Sequence, residues 1–514
     1  MKKIVIIGAN NFQMPLIIKA KELGYETHVF AWAEGAVGAA FADYFYPISI
    51  VERDRILTKC KEIKPDAVIS VASDLATLTV NYLADKLGLV GNSLECTRLS
   101  TNKYEMRKAF LSNGVSVPKF IKVAGTGEEE ISQIRDFSMP IIVKPTDRSG
   151  SRSINKIESW EEAESRKLKE AIETAVEVSF EKKAIIEEYI AGDEFSAESI
   201  SYKGKHTLLT VTRKQTTGAP HFIETGHTQP AGLDSEMLEK VKKEVFAGLN
   251  SLQITNGASH AEFKITPDGK VKIIEIGARM GGDCIGSDLV KISTGYDFLK
   301  MVIDVALGNA PDFTKVVEPK KAVIKFIFTE ADIEELEKVK KEHPEYIYYV
   351  SPIEKINSHK IVDSSTRYGY YICGLEKEKQ FLMNEVEKET KLVEVKNEGK
   401  KKAKLKDIFM LQIVIAIYTL STVCAKFASG QEFMSFQFIL YYGLEMVILG
   451  VYAIVWQQLI KKFEISVAYA NKAMGLLWSI VWAILIFKDT VTIKNVIGVV
   501  IVIIGTMIVN SEDE

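Results

Sequence analysis

Four long apolar runs near the C-terminal end constrain this chain more than any other feature. They lie at about 408–428, 436–460, 465–487 and 491–510, each near the roughly 20 residues that cross a bilayer as a helix. A buried helix of a soluble bundle needs a polar face at a period of 3.6, and Val496 to Val509 offers almost none. Charge divides the same way. Residues 405–514 hold 7 Lys, no Arg and 8 acids, whereas the first 404 residues hold 118 charged side chains. The expectation is an all-α four-helix transmembrane domain over 408–514, behind a much more polar region. With 514 residues and roughly 150 residues per domain, three or four units are expected.

The net charge of −3, from 65 Lys and Arg against 68 Asp and Glu, lacks the basic footprint of a nucleic-acid binder, so no such partner is expected. Five cysteines, Cys60, Cys96, Cys284, Cys373 and Cys424, form no Cys-x-x-Cys pair and fit reduced, buried thiols in a cytosolic context. The start, Met1-Lys-Lys-Ile-Val-Ile-Ile-Gly, has neither an adequate apolar run nor a small-residue cleavage site, and reads as a first strand rather than a signal peptide. A helical pattern through Lys21 and a second strand from Glu26 complete a β-α-β opening of a parallel sheet. A further buried strand from Asp66 ends in polar residues at Ser73-Asp74, where open α/β sheets place ligand contacts. Residues 1–100 are therefore read as a Rossmann-like lobe, although Gly8-Ala-Asn-Asn-Phe-Gln lacks a full dinucleotide fingerprint. From 101 to 318 the texture is α+β; 319–396 reads as a small closing lobe with a Glu/Lys-rich helix near 376–390, and 397–407 as a basic linker. That linker is either a solvated tether or a segment drawn to anionic lipid heads.

Three segments carry candidate chemistry. Pro140-Ile-Ile-Val-Lys144 is a strand with a lysine at its end, followed by a loop containing Ser149 and Gly150. Small residues let backbone N–H groups approach phosphate oxygens while Lys144 supplies charge; alone, the segment is equally a surface turn. Ile185-Ile-Glu187-Glu-Tyr-Ile190-Ala-Gly-Asp-Glu194 is strand, hinge and strand, able to offer main-chain groups to a base edge and a carboxylate to ribose, or else a satisfied hairpin with exposed acids. Glu262 and Glu275, thirteen residues apart on strands joined by a Pro267-Asp-Gly turn, would lie side by side in an antiparallel hairpin. Adjacent carboxylates repel unless a cation lies between them, and hard oxygen donors favour magnesium completed by substrate phosphates. Arg279, four residues on, could hold a γ-phosphate or an oxyanion through its planar fork; the alternative for the two acids is a solvated hairpin.

In this order, these pieces resemble the ATP-grasp superfamily of carboxylate–amine or carboxylate–thiol ligases, over about residues 1–396. Thr101-Asn-Lys103-Tyr-Glu-Met-Arg107 looks like that family's entry to its first nucleotide-binding subdomain. The resemblance implies a Rossmann-like pre-ATP-grasp lobe followed by an ATP-grasp fold, with ATP and magnesium or manganese as cofactors. It implies that Lys103 and Lys144 hold ATP phosphates with Ser149 and Gly150, that Glu187 and the Ile190 backbone read adenine, and that Glu194 takes ribose. Glu262 and Glu275 would be metal ligands, and Arg279 and Lys144 would act at the reacting phosphate. Many members have Asn two residues after the second acid, where this chain has Gly277, which bears on one metal contact. Glu224-Thr-Gly-His227, upstream, is similar to the branch containing L-amino-acid ligases and would place His227 near the acceptor; a structural histidine is the alternative. Small-molecule carboxylate and amine substrates follow from the resemblance.

The tail, through Val467-Ala-Tyr-Ala-Asn471-Lys and the Gly498 and Gly505 spacing, looks like four-span members of the drug/metabolite transporter superfamily, of the EamA and small multidrug resistance kind. Glu445 near the middle of the second run would be its functional acid, or a structural partner of Lys426 or Lys472. Lysines before the first run and at Lys461-Lys462 put both termini in the cytoplasm of a multi-pass cell-membrane protein. The expected function is an ATP-dependent ligase tethered to a transporter-like module in the lipid bilayer, as a homodimer or with a membrane partner. The rivals are an anchored ATP-grasp enzyme of carboxyphosphate or nucleotide-precursor metabolism, and a transporter with a nucleotide-sensing domain.

Overall fold

The computed structural model describes residues 1–150, 152–218, 222–375, 405–431, 434–459 and 475–488. Two compact units divide the chain, 1–379 and 380–514.

The first unit opens with β1 (Lys3–Ile7), β2 (Glu26–Phe30), β3 (Tyr44–Tyr46) and β4 (Ala67–Ile69), all parallel, in the order β3-β2-β1-β4. Ile4, Val5, Ile6 and Ile7 are fully buried, because a parallel strand covered on both faces has no solvent side. The helix Asp74–Leu87 that follows β4 is delimited by its ends: Ser73 accepts the Ala76 N–H, and Gly88 closes it at φ 67°.

A second sheet contains β5 (Phe120–Val123), β6 (Ile141–Pro145), β7 (Asn155–Ile157) and β8 (Ala184–Glu188), in the order β5-β8-β6-β7 with antiparallel pairing throughout. The helix Arg166–Val178 buries Leu168, Ala171, Ile172 and Ala175, an i, i+3, i+4, i+7 stripe that shares a core with Val143 and Ile186.

The third sheet is built from β9 (Asp193–Tyr202), β10 (Lys205–Thr216), β11 (Glu224–Gln229), β12 (Gly257–Ile265), β13 (Val271–Gly277), β14 (Lys321–Ile327), β15 (Ile347–Val350) and β16 (Gly369–Leu375). Its order is β13-β12-β9-β10-β11-β14-β16-β15, so the strands after residue 319 extend the sheet that carries the Glu262/Glu275 hairpin. Phe263 lies opposite Phe195 in the β9–β12 register, with the rings stacked 5.7 Å apart. The Glu/Lys-rich helix expected near 376–390, and the linker lysines up to Lys404, lie outside the described residues.

In the second unit, helices span Leu405–Ser429, Phe436–Leu459 and Gly475–Phe487. Val414 and Ile415 pack against Tyr452, Trp456 and Trp478, and Trp482 Nε1 donates to Thr419 Oγ1 at 2.9 Å. Among the described residues, no helix is long and apolar enough to cross a membrane. This corrects the expectation of spans at 408–428 and 436–460. The third run is described only over Gly475–Phe487. The other two carry charge inside them, at Lys426 and at half-buried Glu445. The fourth run at 491–510, Lys461-Lys462, Asn471 and Lys472 lie outside the described residues.

Candidate active site

The helix Lys103–Ser112 begins at Asn102, whose side chain accepts the N–H groups of Tyr104 and Glu105. Lys103 and Arg107, four residues apart, share one face of it. Lys103 Nζ donates to the Arg148 carbonyl at 2.7 Å and to Glu275 Oε1 at 2.9 Å. Arg107 clasps Glu187 through Nε at 2.9 Å and Nη2 at 3.3 Å, and its Nη1 donates to the Ile273 carbonyl. Lys144, near the end of β6, pairs with Oε1 of the same carboxylate, the oxygen that also accepts from Arg107 Nη2.

One carboxylate therefore faces two cations, and the two respond differently. Burial by itself would raise the Glu187 carboxyl, but the charges of Arg107 and Lys144 outweigh it and hold it at about 2. Lys144 is pushed below its ordinary range, first by burial and then by Arg107 and Lys103, against the pull of Glu187. The asymmetry comes from burial of the ammonium together with two cations, Arg107 and Lys103, beside it, against one acid at Glu187. A further anion would relieve it.

Glu262 on β12 stands directly opposite Glu275 on β13 in the antiparallel register. Strand alternation puts His260 on the same face as Glu262, and Glu198 on β9 lies opposite His260. His260 Nδ1 pairs with the fully buried Glu198, which also accepts the Gly281 N–H at 3.0 Å; His260 Nε2 is 3.2 Å from Glu262 Oε1. Burial opposes charge on the imidazole, but the flanking carboxylates prevail and raise it to about 9. Buried Lys214 on β10 reaches Glu262 at 2.8 Å, Glu194 at 3.1 Å and Glu224 at 3.5 Å. Burial alone would lower Lys214; the three acids lift it well above its ordinary value. Burial alone would raise Glu262, yet Lys214 and His260 keep it well below the usual carboxylate range.

Arg279, just past β13, is held by Asp74 through Nε–Oδ1 and Nη2–Oδ2 bonds of 2.8 Å each. These groups converge. Lys103, Lys144, Arg148, Ser149, Gly150, Arg152, Glu224, His260, Glu262, Glu275, Gly277 and Arg279 line one cleft. Glu187, Ile190 and Glu194 are not among the residues lining it: Glu187 pairs with Lys144 behind it, Ile190 lies in the hinge between β8 and β9, and Glu194 pairs with Lys214. His227 is buried on β11, its Nε2 3.6 Å from Asp283, which Arg367 grips at 2.6 and 3.0 Å. Neither ring nitrogen of His227 has a hydrogen-bond partner. Glu445 belongs to the second unit.

Among the described residues, no group of three or more His, Cys, Asp or Glu side chains is placed to hold a metal ion alone. Two facing carboxylates, each now balanced by a protein cation, are nevertheless a donor set that suits magnesium when substrate oxygens complete the shell. Sequence reasoning passed over Asp74, Arg107, Glu198, Lys214 and His260. His260 was open to discovery, since it sits two residues before Glu262 and so shares its face. Arg107 stood four residues after Lys103, and Asp74 at the polar end of a strand.

A fold of this kind, with a parallel-sheet lobe, a small antiparallel lobe carrying a terminal lysine, and a larger antiparallel sheet with paired acids, is the ATP-grasp fold. The model of the ATP-grasp domain matches residues 137–288. The chain is similar to alanine–anticapsin ligase of Bacillus subtilis, with 27% identity over 305 residues that cover 54% of this chain and 64% of that enzyme. The fold is shared with the L-amino acid ligase of Bacillus licheniformis, at a TM-score of 0.61 and 23% identity over 74% of this chain and 95% of that one. It is shared too with N5-carboxyaminoimidazole synthetase of Staphylococcus aureus complexed with ADP, at a TM-score of 0.59 and 18% identity over 75% and 96%.

Proposed function

We propose that this protein is an ATP-dependent carboxylate–amine ligase that works through an acyl phosphate. The observation that carries the reading is the cleft itself, where Lys103, Lys144 and Arg279 face paired Glu262 and Glu275 beside the Ser149-Gly150 loop. A carboxylate is a poor electrophile, and transfer of the γ-phosphoryl group onto it makes a leaving group that an amine displaces. Lys144, burdened by neighbouring cations, gains an anionic partner when a phosphate enters, and Lys103 supplies a second charge. Glu262 and Glu275 would hold magnesium, which neutralises charge on the phosphates when bound. Arg279 faces the same space, where it would meet the terminal phosphate and donate to the oxyanion that develops as the new bond forms. In this reading Glu187 acts behind Lys144 rather than on the base, because both its oxygens are taken by Arg107 and Lys144.

Release of phosphate by the full-length protein, measured with ATP, magnesium and pools of amino acids and hydroxy acids, tests the reading. Glu275→Gln should lower the substrate-stimulated rate by orders of magnitude while nucleotide binding persists. Unchanged turnover in that variant refutes the assignment.

We infer in addition that the second unit attaches the enzyme to a lipid bilayer. Leu440, Leu444, Val447 and Val451, at i, i+4, i+7 and i+11 on the helix Phe436–Leu459, are each about half exposed and form an outward apolar stripe. Full-length protein should sediment with membranes and resist release by high salt. Recovery in the supernatant without detergent refutes attachment.

A further inference from the structure

Arg279 comes from the loop after β13, but what aims it comes from the first lobe. The turn after β4 meets that loop at two points: Ala72, at φ 57°, donates its N–H to the Met280 carbonyl at 3.3 Å, and Asp74 holds the guanidinium with two parallel bonds of 2.8 Å. A guanidinium has five N–H groups. Asp74 takes two and the Met280 carbonyl a third, at 3.3 Å from Nη1, which leaves two directed elsewhere. Arg279 lines the cleft, so those two are available to a ligand oxygen there.

The space that Asp74 occupies exists because residue 277 is glycine. A Cβ at that position would stand 2.9 Å from Asp74 Oδ1, 3.2 Å from Arg279 Nε and 3.3 Å from Arg279 Cζ. No left-handed backbone demands glycine at 277, so the requirement is for room. A side chain there would press on both halves of the pair.

We propose that Asp74, admitted by Gly277, is a positioning residue that aims Arg279 at the terminal phosphate of the bound nucleotide, making the β4 turn of the first lobe part of the reaction site. This rests on the ligase reading only through Arg279 meeting that phosphate. Asp74 does not touch the nucleotide. Its contribution is to fix the fork in one orientation, so that no freedom is lost when the phosphate arrives.

The test is calorimetric titration of the full-length protein with ADP and with the non-hydrolysable ATP analogue AMP-PNP, both with magnesium. The ratio of the two affinities reports the terminal phosphate. Asp74→Asn keeps the shape but replaces one accepting oxygen with a donor, and Gly277→Ala keeps the carboxylate but crowds it. Both should lower the preference for AMP-PNP about tenfold, the scale of one hydrogen bond to a charged group, with ADP affinity unchanged. Arg279→Lys should lower it at least as far. A merely structural role for Asp74 would move both affinities together. Should Asp74→Asn not fold, Gly277→Ala decides the matter. If Arg279→Lys loses the preference while Asp74→Asn or, failing it, Gly277→Ala keeps it, the positioning role is overturned and the ligase reading stands. If Arg279→Lys keeps the preference, the role given to Arg279 falls, and this inference with it.

Discussion

Replacing Glu187 by Gln leaves Arg107 and Lys144 buried without their common anion, and the structure sets the size of the effect. The carboxyl is held at about 2 against an ordinary 4.5, and each pH unit corresponds to about 1.4 kcal/mol, so ionised Glu187 contributes roughly 3 kcal/mol to folding at neutral pH. Full burial of the group means that solvent screening does not discount this, and removal of one partner of a buried pair costs about 3–5 kcal/mol by independent precedent. The sign of the pH dependence follows. A depressed acid stabilises the fold fully above its unfolded value near 4.5, and the contribution is lost as pH falls through about 2. Gln cannot titrate, so the gap between the parent protein and Glu187→Gln should be widest at pH 7 and should close progressively below pH 4.5. Urea unfolding of both proteins at pH 7, 4.5 and 3, followed by a signal from the first unit, measures that gap. A deficit under about 1 kcal/mol at pH 7, or one that stays constant down to pH 3, would refute the reasoning.

Two further outcomes follow from the same electrostatics. Lys214→Met should cost several kcal/mol at pH 8, because Glu194, Glu224 and Glu262 lose a shared cation, and the loss should shrink near pH 4.5 as Glu262, no longer held ionised by Lys214, takes up a proton; urea melts at the two pH values check it. On the ligase reading, Lys103→Met should weaken ATP binding about ten- to hundredfold in equilibrium titration, since it removes a cation that spans the Arg148 carbonyl and Glu275 beside the Ser149-Gly150 loop.

Periodicity and spacing in the chain determined a good deal by themselves. The run of apolar residues in Ile4 to Ile7 specifies a strand covered on both faces, and it forms the interior of a parallel sheet. The Pro267-Asp-Gly turn marks the hairpin, but the register that starts at Ile265–Val271 and runs through Phe263–Ile273 would bring Glu262 to Ile274, and it is the bulge between Glu262 and Phe263 that shifts it by one and sets Glu262 across from Glu275. Such local signals say which face a residue occupies. They do not say what it meets there. Lys214 reaches Glu262 from 48 residues away, Glu198 meets His260 across 62, and Asp74 meets Arg279 across 205. Only the stacking of β9 between β10 and β12, and the approach of the first lobe to the hairpin, select those partners. Glu187 shows the same limit: read along the chain, a carboxylate near a hinge has no partner, yet Arg107, 80 residues earlier, is folded against it. In the tail, hydropathy marked the apolar helices Leu405–Ser429 and Phe436–Leu459, while the charges at Lys426 and Glu445 bear on what those helices can do. Composition reports how apolar a segment is; the length of each helix and the neighbours it finds are properties of the folded chain.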